Sequence, residues 1–423
     1  MRKIKGTHDL IFNEIKKWQI VEKKLKNIVN IYNFQEIRTP IIEYEEIFNI
    51  SSPNSEMVSK EIFHFLDKKG RKIVLRPEGT ASVVRSYIEN KLKQKNELYK
   101  FYYYGPFFRY ERPQKGRYRQ FTQFGIEIIG VTNFLSEIEI IFFIQEIINF
   151  FNLNDQALIK INNLGDKISR QNFLKVFSDY IQKNQEKLCF LCSERQKKNI
   201  LRIFDCKKCS KKKFLEEAPI ILDYLSNNAK INFEKIITIL KQFKINFIID
   251  PKLVRGLDYY TDLVFEVDVL LKNSKKTLSL GGGGNYNEIM ENFSYKNMRN
   301  IGFAFGMERL ILLLEENNFF KNLTLNSLDV FLFVLDEKLF FQTFILLKEI
   351  REKKISAEMN YEINNFSKKL KKILLKNPKY IIFIGQKEMD NQTLTIKNTL
   401  TKETYVLNFC EGINFLKKEL FKK

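Results

Sequence analysis

Residues 107–130, FFRYERPQKGRYRQFTQFGIEIIG, narrow the fold most, because this pattern suits two strands joined by a turn. Pro113-Gln114-Lys115-Gly116 supplies the turn. Side chains alternate along a strand, so Arg109 and Glu111 share a face with Phe121, Gln123, Gly125 and Glu127. Phe124, Ile126 and Ile128 face the other way and need a core to cover them. Lysine carries most of the positive charge in this chain, yet Arg109, Arg112, Arg117 and Arg119 fall within eleven residues. The planar guanidinium fork grips a phosphate bidentately, as a lysine ammonium does not. The polar face reads either as a floor for a charged nucleotide or, more plainly, as the solvated side of an amphipathic hairpin.

At 423 residues the chain has room for two or three domains with cores of their own. With 44% hydrophobic and 29% charged residues it is globular rather than disordered. The formal net charge of +21 suits a polyanion such as nucleic acid, but a codon pool biased toward lysine would produce it too. The N-terminal MRKIKGTHDLIF lacks an apolar signal core, and no apolar run reaches membrane-spanning length. Five cysteines, four of them clustered, point to a reducing compartment, so the expected location is cytoplasmic.

Helical spacing predicts a helix over 13–29, and Pro40 keeps 37–48, IRTPIIEYEEIF, extended. A strand is expected at 73–75, with RPEGT (76–80) opening a helix that carries Glu78 in its first turn. A long amphipathic helix follows at about 135–151. Lys-rich helices and the cysteines occupy 166–247, which reads as an insertion between a first core segment, 1–165, and a second, 248–322. Beyond a linker around 317–327, alternating strand and helix predict a small α/β domain over 328–423.

Four glycines in a row, Gly281 to Gly284, follow a strand pattern; they suit close backbone approach to a ligand, or simply a flexible loop. A phosphate loop of the GK[ST] kind is excluded. GMERL puts Glu308 and Arg309 at a helix start, where anions are favoured. Arg255 stands before Gly256 in LVRGLDYYTDLVFE, an unusual place for one of the few arginines. His8 and His64 are the only histidines, so histidine-based acid–base chemistry is improbable. Catalysis must then rest on positioning and charge stabilisation, the manner of nucleotidyl transfer. Cys189, Cys192, Cys206 and Cys209 form C-x2-C-x13-C-x2-C, a spacing that closes a tetrahedral structural zinc site or leaves four small buried thiols.

Taken together and in order, these strings resemble the class II aminoacyl-tRNA synthetases, in particular the histidyl-tRNA synthetase family. The segment 37–48 is similar to motif 1, 108–130 to motif 2, and GFAFGMERL to motif 3. LVRGLDYYT and LSLGGGGNY resemble the two segments particular to the histidine enzymes, and KGTHDL, RPEGT, FSKKLKK and YIIFIGQ fit as well. The resemblance implies an α+β fold: an antiparallel sheet flanked by helices, a helical insertion and a C-terminal α/β anticodon-binding domain. It implies ATP-dependent activation of L-histidine to histidyl-adenylate and transfer to the 3′ end of tRNA(His), by a homodimer built through motif 1 around Arg38 and Pro40. On this resemblance Arg109, Glu111 and Arg309 hold ATP with Mg2+, Arg117 meets its distal phosphates and Phe121 lies under the adenine. Arg255 neutralises the histidine carboxylate and the α-phosphate, which makes it, with Arg109, the catalytic pair. Glu78, Thr80 and Gln123 receive the α-amino group, Glu127 and Tyr260 the imidazole, and Tyr286 closes the pocket. Gln114 meets the acceptor stem. One departure stands out: relatives follow the glycine run with Arg-Tyr-Asp, and this chain has Asn285-Tyr286-Asn287. Two other readings compete. One is a non-catalytic paralogue that senses histidine as a regulatory subunit of ATP phosphoribosyltransferase. The other is a plain RNA-binding protein.

Overall fold

A computed structural model describes residues 1–131, 133–272, 276–293, 298–321, 328–363 and 366–421, without the side chains of 366 and 367. The chain divides into two compact units, Met1–Lys321 and Asn322–Lys423. Residues 322–327 of the expected linker, and 422–423 of the expected last domain, lie outside the described residues.

The first unit opens with helix α1 (Phe12–Ile31), whose Trp18, Val21, Leu25 and Ile28 form a buried stripe at helical spacing. After the two-residue strand β1 (Gln35–Glu36), β2 (Ile42–Tyr44), β3 (Phe63–Leu66) and β4 (Lys72–Leu75) make a small antiparallel sheet in the order β2-β4-β3. The extended reading of 37–48 holds only as far as Tyr44, because Glu45–Ser51 is a helix, α2. Glu45 and Glu46 sit in its first turn, where the helix dipole favours them, and Ile47, Phe48 and Ser51 are buried. Helix α3 (Thr80–Glu89) starts later than expected, with Gly79 as its N-cap. Glu78 therefore precedes the helix, yet its carboxylate takes the backbone N–H groups of Thr80 at 2.7 Å and Ala81 at 2.8 Å, satisfying two of the donors a helix start leaves open.

Strands β5 (Tyr99–Phe108) and β6 (Gln120–Val131) are the predicted hairpin. The connection is longer than a four-residue turn. Residues 109–119 leave the ladder, although Arg109 N–H still donates to the Arg119 carbonyl (2.9 Å) and Gln114 and Arg117 form an isolated bridge. Pro113 has no N–H to give a ladder, and Gly116 takes a φ of +75°. Helix α4 (Leu135–Phe150) and strand β7 (Ala157–Asn163) follow.

The Lys-rich stretch contains α5 (Lys167–Lys183), α6 (Phe190–Lys198), α7 (Lys213–Glu216) and α8 (Asn227–Gln242). It shares cores with its surroundings. Phe233, Ile236 and Leu240 of α8 join the main core with α1 and α4, while Phe173, Phe177, Cys192 and Cys206 cluster with Tyr103, Tyr259 and Tyr286. Strands β8 (Phe247–Ile249), β9 (Thr261–Leu270), β10 (Thr277–Asn285) and β11 (Arg299–Gly306) complete an eight-stranded sheet in the order β1-β5-β6-β11-β10-β9-β7-β8. The pairs from β5 through to β7 are antiparallel, and only the two outer pairs are parallel. Helices α9 (Asn287–Asn292) and α10 (Met307–Glu316) flank it. Phe124, Ile126 and Ile128 lie in the main core under α1 and α4, so the opposite face is left for polar chemistry.

The second unit is a mixed sheet, β13-β12-β14-β15-β16, made of β12 (Val330–Val334), β13 (Ala357–Met359), β14 (Tyr380–Ile384), β15 (Thr393–Asn398) and β16 (Thr404–Asn408). Helices α11 (Phe340–Glu352), α12 (Phe366–Leu374), α13 (Gln386–Asp390) and α14 (Phe409–Leu420) connect or follow its strands. Every residue of β12 is buried, as parallel pairing on both sides demands.

Candidate active site

The polar face of β6, β11 and β10 floors an open cleft of about 870 Å³. Its walls come from the 109–119 loop, the start of α3, the 255–260 loop and the start of α10. Arg109, Arg117 and Arg309 stand at one end, with Glu111 and Phe121. Arg109 Nε donates to the Pro77 carbonyl (2.9 Å), and its guanidinium lies 5.4 Å from the Phe121 ring centre. Arg309 reaches across to the Gly116 carbonyl (3.3 Å) and to that of Ser279. Arg117 pairs with Glu111 at 3.3 Å. Each guanidinium is held mainly by neutral carbonyls or a partly shared carboxylate, so positive charge is left over for a polyanion.

Arg255 lies toward the other end, where its Nη1 donates to Glu266 Oε2 and its buried Nε has no partner among the described residues. Burial pushes the Glu266 carboxyl up, and Arg255 opposes that. The glycine run explains how an arginine fits here. A Cβ on Gly282 would sit 2.6 Å from Arg255 Nη1. At Gly281 and Gly283 the close neighbours are instead the backbone of β11. Part of the approach expected of a ligand is thus made by the protein's own guanidinium and neighbouring strand.

Glu78, Thr80, Gln123 and Tyr260 line the same end of the cleft. Glu127 and Tyr286 do not line it; both are 1% exposed and lie beneath. Thr80 links the two layers, donating from Oγ1 to Glu127 Oε1 at 2.8 Å. Glu127 Oε2, the hydroxyls of Tyr103 and Tyr286 and Oε1 of Gln123 are buried without a well-formed hydrogen bond among the described residues, although both tyrosine hydroxyls lie close enough to Glu127 to favour its carboxylate. Burial drives the Glu127 carboxyl up to about 8 and Tyr286 well above the usual phenol range, with Glu127 adding to the latter. Glu78 is also raised by burial, and Tyr260 is pushed up to about 12 by the same cause. Buried polar atoms left without a partner are costly, and several of those among the described residues gather around Glu127. Such a spot is built for a polar guest that both donates and accepts.

This arrangement sets surplus guanidinium charge beside unsatisfied buried polar atoms in one cleft. The sequence matches the family model for histidyl-tRNA synthetase over residues 6–310. The chain belongs to the histidyl-tRNA synthetase family. The anticodon binding domain model matches residues 329–419. The histidine–tRNA ligase of Phytoplasma mali (strain AT) is 50% identical over 420 residues, 99% of either chain. That of Aster yellows witches'-broom phytoplasma (strain AYWB) is 46% identical over 420 residues, 99% of this chain and 98% of the relative. Among solved structures, apo S. aureus histidyl-tRNA synthetase matches with a TM-score of 0.83 at 32% identity, over 99% of this chain and 100% of that one.

Sequence reasoning missed several residues of this histidyl-tRNA synthetase family cleft. Tyr259 lines it and points its hydroxyl at Glu78 (3.5 Å). Glu308, held at about 7 by burial, accepts the Thr122 N–H at 2.7 Å. Gly302 lies opposite Glu127 across the β6–β11 pair and leaves room for its carboxylate. Tyr259 and Glu308 stood inside the strings LVRGLDYYT and GMERL but were given no role, whereas Gly302 carried no signal, because its part depends on strand register. Gln114 is placed apart, in a second hollow with Lys60, Glu61 and Arg112. In the altered segment after the glycine run, buried Asn285 donates to Glu137 (3.2 Å), and Glu137 is also paired with Arg299 at 2.5 Å. Asn287 Nδ2 donates to Asp262 (3.1 Å).

Away from the cleft, the Sγ atoms of Cys189, Cys192, Cys206 and Cys209 all lie within 4.8 Å of one another, and the thiols are free. The Cys189–Cys206 separation is 3.6 Å, close to the ~3.8 Å edge of a tetrahedron with zinc–sulfur bonds of about 2.3 Å. Cys209 Sγ also accepts the Cys189 backbone N–H at 3.4 Å, a contact that favours thiolate. These donors fit zinc. Among the described residues no helix is long and apolar enough to cross a membrane.

Proposed function

We propose that this chain activates L-histidine with ATP to histidyl-adenylate and transfers it to the 3′ end of tRNA(His). The observation that carries the reading is the convergence of Arg109, Arg255 and Arg309 with Glu78 and Thr80 on one cleft above Glu127. A carboxylate and a triphosphate repel each other, and three guanidinium groups remove that barrier. Arg109, Arg309, Arg117 and Glu111 take the ATP end, with Phe121 under the adenine. Mg2+ is bound through few protein carboxylates plus phosphates, and Glu111 and Glu308 are the carboxylates at that end of the cleft.

Arg255 bridges the histidine carboxylate and the α-phosphate, where its unpaired Nε gains a partner. Glu78, Thr80 and Gln123 receive the amino group. The imidazole, a donor and an acceptor at once, fits the orphaned atoms of Glu127 and Tyr286, with Tyr260 beside them. A buried set of this kind rejects side chains that leave it unpaired by roughly 10⁴-fold.

Gln114 projects from the 109–119 loop toward an acceptor stem, and the second unit reads the anticodon. The exposed apolar side chains of Ile42, Tyr44, Phe65 and Leu66 suit a homodimer formed through the motif 1 region around Arg38 and Pro40. Zinc is held by the four cysteines, and free cysteines suit a cytoplasmic setting. The complete set of phosphate-binding arginines favours the enzyme over a histidine-sensing regulatory paralogue.

Pyrophosphate exchange with each of the twenty amino acids in turn is the direct test, and histidine alone should support it. Arg255→Ala should lower that exchange by about 10²–10³-fold with the fold intact. Exchange near the wild-type rate in this variant would remove Arg255 from the chemistry.

A further inference from the structure

The two cysteine pairs bracket residues 193–205, a stretch built from the end of α6 and a short 3-10 turn, Ile200–Ile203, with no strand to anchor it. Two side chains of this stretch reach the Arg255 loop, and a third braces them. Arg195, 8% exposed, pairs bidentately with Glu56 at 3.0 and 3.2 Å and donates to the Arg202 carbonyl at 2.8 Å. Arg202 Nη1 donates to the Gly256 carbonyl at 3.0 Å, and Asn199 Nδ2 donates to Asp258 Oδ1 at 2.5 Å. Gly256 and Asp258 flank Leu257 in the loop that begins at Arg255. The same loop is held from the far side, by Ser55 Oγ on the Gly256 carbonyl (3.2 Å) and by the Asn54 N–H on Asp258 Oδ2 (2.8 Å). The loop is thus clamped between residues 52–56 and the bracketed stretch.

We propose that the four-cysteine zinc centre is a positioning device for Arg255. Closing the metal site pins both ends of 193–205, and Asn199 and Arg202 then fix the backbone that aims the guanidinium into the cleft. Leu201, Ile203 and Phe204 seat the middle of the segment in the neighbouring core, and closing the metal site adds order at its two ends, where polar residues supply none. The proposal rests on the reading of Arg255 as the group that meets the histidine carboxylate and the α-phosphate. Arg109, Arg309 and Phe121 sit on other elements, so the adenine and distal-phosphate contacts that set ATP affinity are left untouched, and the loss of the Arg255 contact to the α-phosphate falls on kcat.

The test uses the full-length enzyme. Metal analysis should find close to one zinc per chain. Removing it with 1,10-phenanthroline should lower kcat and raise KM for histidine in pyrophosphate exchange, by about 10- to 100-fold in kcat/KM, the scale of a misplacement of about 1 Å. Added zinc should restore both, and KM for ATP should stay within about twofold throughout. Because metal loss also loosens the surrounding fold, Asn199→Ala combined with Arg202→Ala is the sharper variant. It keeps all four cysteines, should keep its zinc, and should still show the histidine-specific loss. Absence of zinc from the purified enzyme overturns the metal centre. Stoichiometric zinc with normal histidine kinetics in the double variant overturns the coupling and leaves the metal in place. Normal exchange by Arg255→Ala would instead overturn the reading of Arg255 beneath both.

Discussion

Gly302→Ala is the smallest change that should cripple histidine recognition while leaving ATP binding alone. Gly302 lies opposite Glu127 across the β6–β11 pair, and a Cβ there would stand 1.9 Å from Glu127 Oε2 and 2.6 Å from its Cδ. Carbon–oxygen contacts settle near 3.3 Å, so the carboxylate has to retreat by about 1.4 Å. There is no free room behind it: its other oxygen is held by Thr80 at 2.8 Å, and the buried Tyr103 and Tyr286 crowd the same spot. Overpacking of this kind costs about 1–3 kcal/mol of stability. A binding group displaced by about 1 Å costs on the order of 100-fold in rate or affinity. Histidine titrations in pyrophosphate exchange should therefore show KM up by roughly 100-fold, with ATP affinity by calorimetry unchanged. Adding Glu127→Asp should recover the melting temperature, since the shorter side chain clears the new methyl, without recovering histidine binding. A Gly302→Ala enzyme with wild-type melting and histidine KM within twofold would refute the placement of Glu127 in the amino-acid site.

Two further outcomes follow from buried charge. The folded-state pKa of Glu127 is raised to about 8, so the native state holds a proton that the unfolded chain gives up in the ordinary carboxylate range. Its stabilising contribution is full below that range and is lost as pH rises toward 8; urea midpoints at pH 5 and pH 8 should fall more steeply for wild type than for Glu127→Gln, and equal slopes would contradict this. Arg299→Met should cost about 3–5 kcal/mol, because Glu137 is fully buried and would lose its ion-pair partner, leaving only Asn285 and Ser136. Adding Glu137→Leu should return much of that in chemical denaturation, and a single variant losing under about 1 kcal/mol would count against the pair.

The hairpin was legible because a period of two is visible in sequence: Phe124, Ile126 and Ile128 on one side, Phe121, Gln123 and Glu127 on the other. The helix at 45–51 was hidden by Pro40, whose restriction on the backbone ends sooner than the extended pattern suggested. The arginines drew notice by their scarcity, and the cysteines by spacing, since both are properties of order along the chain. Their supporting partners were invisible. Glu266 and Gly302 are ordinary residues until the strand order brings β9, β10, β11 and β6 side by side.

Alternation, helical spacing and turn residues act within a few neighbours, so the chemical parts and the local elements that carry them can be read from residue order alone. Which parts meet depends on the folded chain. Gly302 faces Glu127 although 175 positions separate them in number, and the cysteine-bracketed stretch reaches the Arg255 loop through Asn199 and Arg202. Such contacts are set by strand register and by the packing of distant segments, which no local pattern encodes. The burial that lifts Glu127 to about 8 belongs to that level too, since a carboxylate has no low-dielectric surroundings until the chain closes over it.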